Sequence, residues 1–459
     1  MMDSFSFGKS FLFSAQRQTH TYVIGQPGTG KSRLLESWVM QDVIAGNGIC
    51  VIDPHGDLFQ NLLRRLVLYP KVWGKLVVID PCDKEWAVNI NPLASFPGVS
   101  TERIAAFLTD ILLKIWRINS TDAPRMTWLM INSFIALSDL GLTLSDLPNF
   151  LLDQNFRERY LPKLKNQNAL FYFKHEYPRS DSNSTQWASP LLNKLGGILF
   201  DPDIYPLFSN GNTLNFRNLL NDRNIILVNI PKGILGENTS ALIGAFIVAQ
   251  IQKAALSRSD QSNRPPFYLY LDEFQNYTTD NIQDILSESR KYALSLILAN
   301  QYLDQLPMGI RSAILNTAGT LISFRVGFED AKTLAHMIFP IQNKVISNNR
   351  ILFSESRFLP VINAISQFVD NQGSASTLVN LPDREFWANS RKQKEPIHCR
   401  TFNMNNDWIG KPEIEPKVKT LVNTSGKNYG YLKLKPYRNQ KTVDPDSVSA
   451  QNDLPLWGE

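Results

Sequence analysis

Short apolar runs recur along this 459-residue chain and alternate with turn and helical segments. Several runs lead through a glycine-containing turn into residues whose apolar side chains recur at helical spacing. Continuous apolar runs are typical of parallel strands, because helices cover both faces of a parallel sheet. The pattern therefore predicts an α/β fold with a mainly parallel sheet. The candidate strands are residues 21–24, 49–53, 76–80, 225–230, 267–271, 294–299 and 321–326.

The strand pattern is interrupted in the middle of the chain. Residues 102–116 place isoleucine, leucine and phenylalanine on one helical stripe, and residues 127–140 and 191–199 also have helical character. These segments predict an all-α subdomain inserted into the sheet domain. We place the insertion at residues 95–220 and the sheet domain at residues 1–94 and 221–390.

The C-terminal part of the chain, residues 391–459, has a different composition. Between Lys411 and Lys441 there are eight lysines and arginines against two glutamates, with scattered proline, glycine and asparagine. A charge bias of this kind is typical of a solvated segment. We predict that residues 391–459 form a basic C-terminal arm that is loosely packed or disordered.

The overall composition indicates a packed protein. Hydrophobic residues make up 43% of the chain and charged residues 19%, which excludes a disordered protein. The net charge of +5 permits a nucleic-acid partner without requiring one. Three widely spaced cysteines argue against a disulfide framework or a zinc site. No signal segment or apolar run of about 20 residues is visible, so we expect a cytoplasmic protein that reaches a membrane only through a partner.

The strongest chemical signal is a glycine-rich loop between a predicted strand and a predicted helix. In such a loop, successive backbone N–H groups surround phosphate oxygens. Here Lys31 would reach the β- and γ-phosphates of ATP, and the Ser32 hydroxyl would bind Mg²⁺. A dinucleotide-binding loop is disfavoured because it gives the lysine and serine no role, which leaves an incidental glycine turn as the alternative. The loop matches G-x-x-x-x-G-K-[ST] and consists of Gly25, Gln26, Pro27, Gly28, Thr29, Gly30, Lys31 and Ser32.

A pair of carboxylates, Asp272 and Glu273, follows the apolar run 267–271. ATP hydrolysis needs one carboxylate to orient Mg²⁺ through its water shell and a second to polarise the attacking water. We assign these roles to Asp272 and Glu273, respectively. The alternative is an ordinary polar pair at the end of a strand.

Three more polar residues lie near these elements. Asn300 and Gln301 follow the apolar run 294–299, where an amide could sense the γ-phosphate, position the attacking water, or cap the next turn. Arg290 lies between the two strands and is a candidate arginine finger that acts on the nucleotide of a neighbouring subunit. The alternative for Arg290 is a solvated helix face.

Three residues remain open to two interpretations each. His55 could contact nucleotide or a neighbouring subunit, or it could stabilise a turn. Asp53 could contribute to the shell of Mg²⁺, and Arg325 could be a second phosphate-sensing arginine. In both cases a structural role is the alternative.

Taken together, the motifs resemble the ATPases that couple DNA to type IV secretion in conjugation, within the wider HerA/FtsK class of DNA translocases. The resemblance extends from about Phe7 to Leu381. It implies a RecA-like P-loop motor domain with an inserted all-α domain, which assembles as a hexameric ring around DNA. It also implies that Arg290 reaches the adjacent subunit's nucleotide and that Gln301 belongs to the motif after Walker B. The motifs lie at residues 52–57, 91–93, 272–275, 289–294, 298–301 and 319–327, with Asp330 and Ala331 following.

One departure from the family keeps the biological role open. Conjugative coupling proteins usually begin with a membrane-anchoring segment, whereas this chain begins almost at the motor. One expectation is a coupling protein that docks on a separate membrane partner and meets a relaxase or secretion channel. The alternatives are a HerA-like DNA-processing or packaging motor outside secretion, and a scaffold that binds ATP to recruit partners but turns it over slowly.

Overall fold

A nine-stranded sheet forms the centre of the protein. The computed structural model describes residues 4–7, 10–13, 17–179, 181–202, 204–209, 213–277, 281–339, 373–391, 395–404, 406 and 408–434. The strands of the central sheet are β1 (Thr21–Ile24), β2 (Gly48–Asp53), β3 (Leu76–Ile79), β4 (Ile225–Asn229), β5 (Phe267–Leu271), β6 (Leu294–Asn300), β7 (Thr320–Ser323), β8 (Glu385–Ser390) and β9 (Ile397–Arg400). Their order across the sheet is β9-β8-β7-β1-β6-β5-β2-β4-β3.

The seven strands from β7 to β3 across the sheet are parallel, and β8 and β9 add an antiparallel edge. Side chains alternate between the two faces: Tyr22 and Ile24 belong to one hydrophobic cluster and Val23 to the other. Each parallel strand is buried, as expected for a sheet with helices on both faces. The predicted α/β fold class is confirmed, and each of the seven predicted strands is present in the sheet.

Helices connect the parallel strands and cover both faces. The longer ones are α1 (Lys31–Ala45), α2 (Asp57–Leu66), α3 (Thr101–Ile115), α4 (Pro124–Leu140), α5 (Asp181–Leu199), α6 (Glu237–Leu256), α7 (Asn281–Glu288), α8 (Met308–Thr317), α9 (Phe328–Ile338) and α10 (Ile414–Asn428). Shorter helices span Leu147–Leu152, Gln154–Tyr160, Gln167–Phe171, Tyr205–Phe208, Phe216–Asn221, Lys232–Leu235 and residues 373–379. Two small sheets pair Ser4–Phe7 with Ser10–Phe13 and Trp86–Ala87 with Leu432–Lys433.

The all-α insertion lies between β3 and β4, as predicted. Helices α3, α4 and α5 contribute Leu108, Phe134 and Leu191 to the same hydrophobic cluster as Tyr22 of the sheet. Helices α1, α2 and α10 cover the opposite face. The insertion therefore shares a continuous core with this face of the sheet, and its helix α3 packs against α6. The boundaries proposed at residues 94, 220 and 390 remain predictions.

The prediction of a loosely packed arm is wrong for the described part of residues 391–459. The first segment forms the edge strand β9, and α10 buries Ile414, Val418 and Leu421 against the sheet. These three residues recur at helical spacing. The composition of the segment does not show this spacing, because lysines on the exposed face of α10 dominate the composition. Residues 435–459 lie outside the described residues.

One helical segment in the described part of the chain, Glu237–Asp260, is long and apolar enough to span a membrane, and the bent pair Pro124–Leu140 and Leu144–Leu152 would make a second. Within Glu237–Asp260, 83% of the apolar window is buried inside the fold. Burial of this kind is typical of a core helix in a globular protein.

Candidate nucleotide site

The glycine-rich loop connects β1 to α1, as predicted. Gly28 and Gly30 have φ angles of 77° and 110°, which favour glycine because a Cβ atom would be strained there. Helix α1 begins at Lys31, has no side-chain cap at its N-terminus and has no acidic residue in its first turn. The first backbone N–H groups of a helix have no partner within the helix and attract anions. The loop can therefore accept phosphate.

Two neighbouring segments hold the loop in place. The N–H of Gln26 donates to the carbonyl of Arg325 at 2.9 Å, and the N–H of Arg384 donates to the carbonyl of Thr29 at 2.8 Å. Gly25 packs so closely that an added Cβ would lie 2.5 Å from Cβ of Phe324. The first glycine is thus required by its contact with the segment that follows β7. These contacts hold the loop against the segments that adjoin β7 and β8.

The side chain of Lys31 folds back onto the glycine-rich loop. Its Nζ donates to the carbonyls of Gly25 and Gln26, and the residue is buried. Burial lowers the pKa of Lys31, while the carboxylates of Asp272 and Glu273 act in the opposite direction. The ammonium group is therefore held between the loop and the two predicted acidic residues.

Asp272 follows β5 and meets the beginning of α1. The Ser32 hydroxyl lies 3.5 Å from Oδ2 of Asp272 and is oriented to donate to it. Burial raises the pKa of Asp272 to about 7, and Asp53 and Glu273 contribute in the same direction, whereas Lys31 opposes them. The negative charge of a buried carboxylate that lies beside other acidic groups is poorly compensated unless a cation binds.

The oxygens of Ser32 and Asp272 suit Mg²⁺, which is usually held by one or two protein oxygens together with water and phosphate. Within the described residues, no group of three or more histidine, cysteine or acidic side chains could hold a metal ion by itself. A Mg²⁺ ion held by Ser32 and Asp272 would take its remaining ligands from water and phosphate.

Glu273 has a strained backbone and a fixed carboxylate. Its φ angle is 48°, in the left-handed region that residues with a Cβ atom rarely occupy. Gln301 Nε2 donates to Oε1 of Glu273 at 2.8 Å, and Gln275 Nε2 donates to Oε2 at 2.6 Å. The sheet order explains the first contact, because β6 lies between β5 and β1. Gln301 thus joins the Glu273 carboxylate to the strand beside the glycine-rich loop, or phosphate loop.

Asn300, in contrast, is used by the fold. It is fully buried, accepts from the hydroxyl of Tyr22 at 2.8 Å and donates to the carbonyl of Tyr302 at 2.9 Å. Of the two adjacent amides, the structure therefore brings Gln301 to Glu273, whereas Asn300, the last residue of β6, connects β1 to the turn that follows β6.

Asp53, His55 and Arg325 have mainly structural contacts. Both oxygens of Asp53 accept backbone N–H groups, from His55 and from Phe59 at the start of α2. Arg325 forms an ion pair with Asp383 at 2.7 Å and lies 3.4 Å from the amide oxygen of Gln26. The negative charge of Asp53 contributes to the raised pKa of Asp272. Arg325 contacts the glycine-rich loop at Gln26.

Arg290 lies at the opposite end of the parallel strands from the glycine-rich loop. It precedes the amino end of β6, whereas Gln301 follows the carboxyl end, so the two are separated by about 23 Å at the usual rise of a strand. The arginine is exposed and lines a cavity of about 450 Å³ together with His20 and Arg391. The chain therefore does not bring Arg290 to its own phosphate loop, and a role in trans remains a prediction.

Two contributors to the site were not assigned by sequence reasoning: Gln275, which holds Glu273, and Arg384, whose N–H holds the loop. Gln275 lies inside the motif at residues 272–275, so its position was a usable signal. Arg384 offers none, because its contribution is a backbone N–H whose position depends on the packing of β8.

Comparisons with known proteins identify the fold. No family model matches the sequence, and no curated protein matches it. Among solved structures, the bacterial conjugative coupling protein TrwB in its unbound form is 14% identical, with a TM-score of 0.58 over 88% of this chain and 90% of that one. TrwB in complex with the non-hydrolysable ATP analogue ADPNP gives the same values. VirB4 of Thermoanaerobacter pseudethanolicus is 15% identical, with a TM-score of 0.53 over 86% of this chain and 90% of that one. The chain has the RecA-like P-loop fold of these proteins.

Proposed function

We propose that this protein is a Mg²⁺-dependent ATPase that assembles as a homohexameric ring and moves DNA through its central pore. The observation that carries the proposal is the hydrogen bond from Gln301 to Glu273, in a site that also contains Lys31, Ser32 and Asp272. This set contains a phosphate-binding cation, oxygen ligands for a metal and a base for water. All three are needed for hydrolysis of a phosphoanhydride.

Each residue has a separate role in the proposed reaction. Backbone N–H groups from Gln26 to Ser32, with the Lys31 ammonium, bind the β- and γ-phosphates. Ser32 and Asp272 would hold Mg²⁺, which supplies compensation for the negative charge of the phosphates. Glu273 accepts a proton from the attacking water, and Gln301 orients the Glu273 carboxylate beside the phosphate loop. Arg290 of the neighbouring subunit stabilises the charge that develops on the transferred phosphoryl group.

The DNA-translocating part of the proposal is supported by the fold and by the motifs. TrwB, which shares the fold, is described in its solved structures as a plasmid coupling protein and has been seen with ADP and Mg²⁺. Arg290 lies far from its own phosphate loop, as expected for a residue that completes a neighbour's site in a ring. We propose phosphate contacts to DNA without base recognition, a cytoplasmic location, attachment to the membrane through a separate partner, and contact with a relaxase or a secretion channel.

Steady-state ATP hydrolysis with and without DNA tests whether the protein is a DNA-stimulated ATPase. A translocase is expected to hydrolyse ATP faster when DNA is added, and Lys31→Ala and Glu273→Gln should each remove most of the hydrolysis in both conditions. A chain that binds ATP but turns it over slowly, with no response to DNA, would be the scaffold instead. Imaging the protein with an ATP analogue and DNA would report the number of subunits in the ring.

The dependence of DNA affinity on salt concentration tests whether the protein binds DNA through its phosphates. Contacts to phosphate release counterions, so the logarithm of the affinity should fall linearly with the logarithm of the salt concentration. Two unrelated DNA sequences of equal length should bind with similar affinity, because phosphate contacts carry no sequence information. A flat salt dependence or strong preference for one sequence would contradict translocation by phosphate contacts.

A further inference from the structure

The carboxylate of Glu273 receives a donor at each oxygen. Gln301 reaches Oε1 from the end of β6, and Gln275 reaches Oε2 from the turn that follows β5. A glutamine NH₂ group can only donate, and an ionised carboxylate offers about four acceptor positions. Two donors on different oxygens therefore fix the rotation of the carboxylate and leave acceptor positions for water.

The turn that carries Gln275 is anchored on both sides. Phe274 and Tyr277 are buried, and Phe274 packs its ring edge-on against Tyr22 of β1 with the centroids 6.3 Å apart. Tyr277 lies against Gly244 of α6, where an added Cβ would be 2.3 Å from the tyrosine ring. Because α6 approaches this closely, the single turn Phe274–Tyr277 has little room to shift.

The backbone of Glu273 is held as well. Asn276 Nδ2 donates to the carbonyl of Glu273 at 2.6 Å, and its Oδ1 accepts from Nζ of Lys232 at 2.7 Å. The N–H of Glu273 donates to Oδ1 of Asp272 at 3.1 Å. A residue with a left-handed backbone persists only where its surroundings hold it. The same turn thus fixes both the strained backbone and the carboxylate of Glu273.

We propose that Gln275 is a positioning residue for the hydrolytic step, which rests on the proposed function of Glu273 as the base. Gln275 holds the Oε2 edge of the carboxylate while Gln301 holds the Oε1 edge, so that a water molecule is presented to the phosphate in one orientation. Gln301 directly follows β6, the strand beside β1 and the phosphate loop, whereas Gln275 acts through Glu273. Loss of Gln275 therefore slows chemistry and leaves nucleotide binding unchanged.

The test is the full-length variant Gln275→Met, which keeps the length of the side chain and removes the donor. We expect kcat for ATP to fall by about tenfold or more, because small displacements of a catalytic group carry penalties of this size. KM, ATP affinity and unfolding temperature should stay close to those of the parent. In a Glu273→Gln background, Gln275→Met should not lower the residual turnover further, since the residue through which it acts is already disabled.

The matched control is Gln154→Met. Gln154 also donates to a carboxylate, Oε1 of Glu158 at 2.7 Å, but on the exposed surface of the insertion, so kcat should not change. If Gln275→Met does not fold, Gln275→Asn keeps an amide that is too short to reach Oε2 and takes its place in the same measurements.

Three outcomes would overturn the inference. Unchanged kcat in Gln275→Met would remove its positioning role, and so would parallel losses of ATP affinity and unfolding temperature, which indicate a structural residue. An added loss in the Glu273→Gln background would show that Gln275 acts independently of Glu273. Failure of the proposed function is distinguishable, because Lys31→Ala and Glu273→Gln would then retain the turnover of the parent.

Discussion

Gln301 and Glu273 are joined by a hydrogen bond of 2.8 Å although they lie 28 positions apart in the sequence. The bond connects the carboxyl ends of two adjacent parallel strands, β5 and β6, and β6 is also the neighbour of β1, which leads into the phosphate loop. Ligand sites of open parallel sheets lie outside the carboxyl ends of the strands. The sheet order therefore places the Gln301 amide between the Glu273 carboxylate and the glycine-rich loop.

Lys31→Ala should weaken ATP binding. Lys31 is the side-chain cation of the loop, and its ammonium is already held beside Gly25 and Gln26. Without it, the phosphate charge is balanced by N–H dipoles and Mg²⁺ alone. We expect ATP affinity to fall at least about tenfold, or about 1.4 kcal/mol, in a titration with a fluorescent nucleotide. Lys332→Ala, which removes an exposed lysine paired with Glu329, is the control, and equal affinities for both variants would contradict the site assignment.

Asp272→Asn should stabilise the nucleotide-free protein in a pH-dependent way. Burial raises the pKa of Asp272 to about 7, from an ordinary value of 3.8. Between these values the folded chain binds a proton that the unfolded chain has lost, so the free energy of unfolding falls as pH rises. Asparagine lacks this titration. The stability advantage of Asp272→Asn should therefore grow between pH 5 and pH 8 by at least about 1 kcal/mol, as measured by urea unfolding.

The control for Asp272→Asn is Asp304→Asn at the surface, where the side chain is 83% exposed and the substitution should change stability little at either pH. A stability difference between Asp272→Asn and the parent that is the same at pH 5 and pH 8 would refute the prediction. Asp272→Asn should also lose Mg²⁺-dependent hydrolysis, since it removes one of the two proposed oxygen ligands. Loss of the Asp272 carboxylate would then explain both the gain in stability and the loss of activity.

The sequence was sufficient to predict the seven parallel strands and the acidic pair after β5, because both are encoded locally. Continuous apolar runs mark the strands, and Asp272 and Glu273 come directly after one of them. The strands β8 and β9 were not predicted. Glu385–Ser390 alternates between partly exposed and buried positions and contains polar residues, as is typical of a strand near the edge of a sheet.

Long-range packing explains what the sequence did not predict in the site. The contact between the N–H of Arg384 and Thr29 exists because β8 pairs with β7, which pairs with β1. The role of Gln275 depends on the close approach of Gly244 to Tyr277, two residues from different connections of the sheet. Neither contact produces a periodic or local signal. Predicting them requires the order of the strands first.

Arg17→Met should destabilise the protein strongly. Arg17 is 2% exposed, donates to both oxygens of Asp42 at 2.9 Å and 2.8 Å, and donates to the hydroxyl of Tyr270 at 2.7 Å. Removing one partner of a buried ion pair leaves an uncompensated charge, which typically reduces stability by about 3–5 kcal/mol. The exposed pair of Arg311 and Asp304 provides the control, since Arg311→Met should reduce stability by about 1 kcal/mol or less. Similar urea midpoints for the two variants would contradict the argument.

Mixing two inactive variants tests whether Arg290 acts in trans. Arg290→Ala keeps its own phosphate loop and Glu273, while Glu273→Gln keeps Arg290, so each should bind ATP and lose hydrolysis by about a hundredfold or more. In a ring assembled from equal amounts of both, about one quarter of the interfaces combine an intact site with an intact arginine from the neighbour. Hydrolysis should therefore recover. A mixture of Lys31→Ala and Glu273→Gln is the control, because neither variant has an intact site. If the first mixture stays as inactive as the control while mixtures with the parent show that subunits exchange, Arg290 does not complete a neighbour's site, and the assignment of the phosphate loop is unaffected.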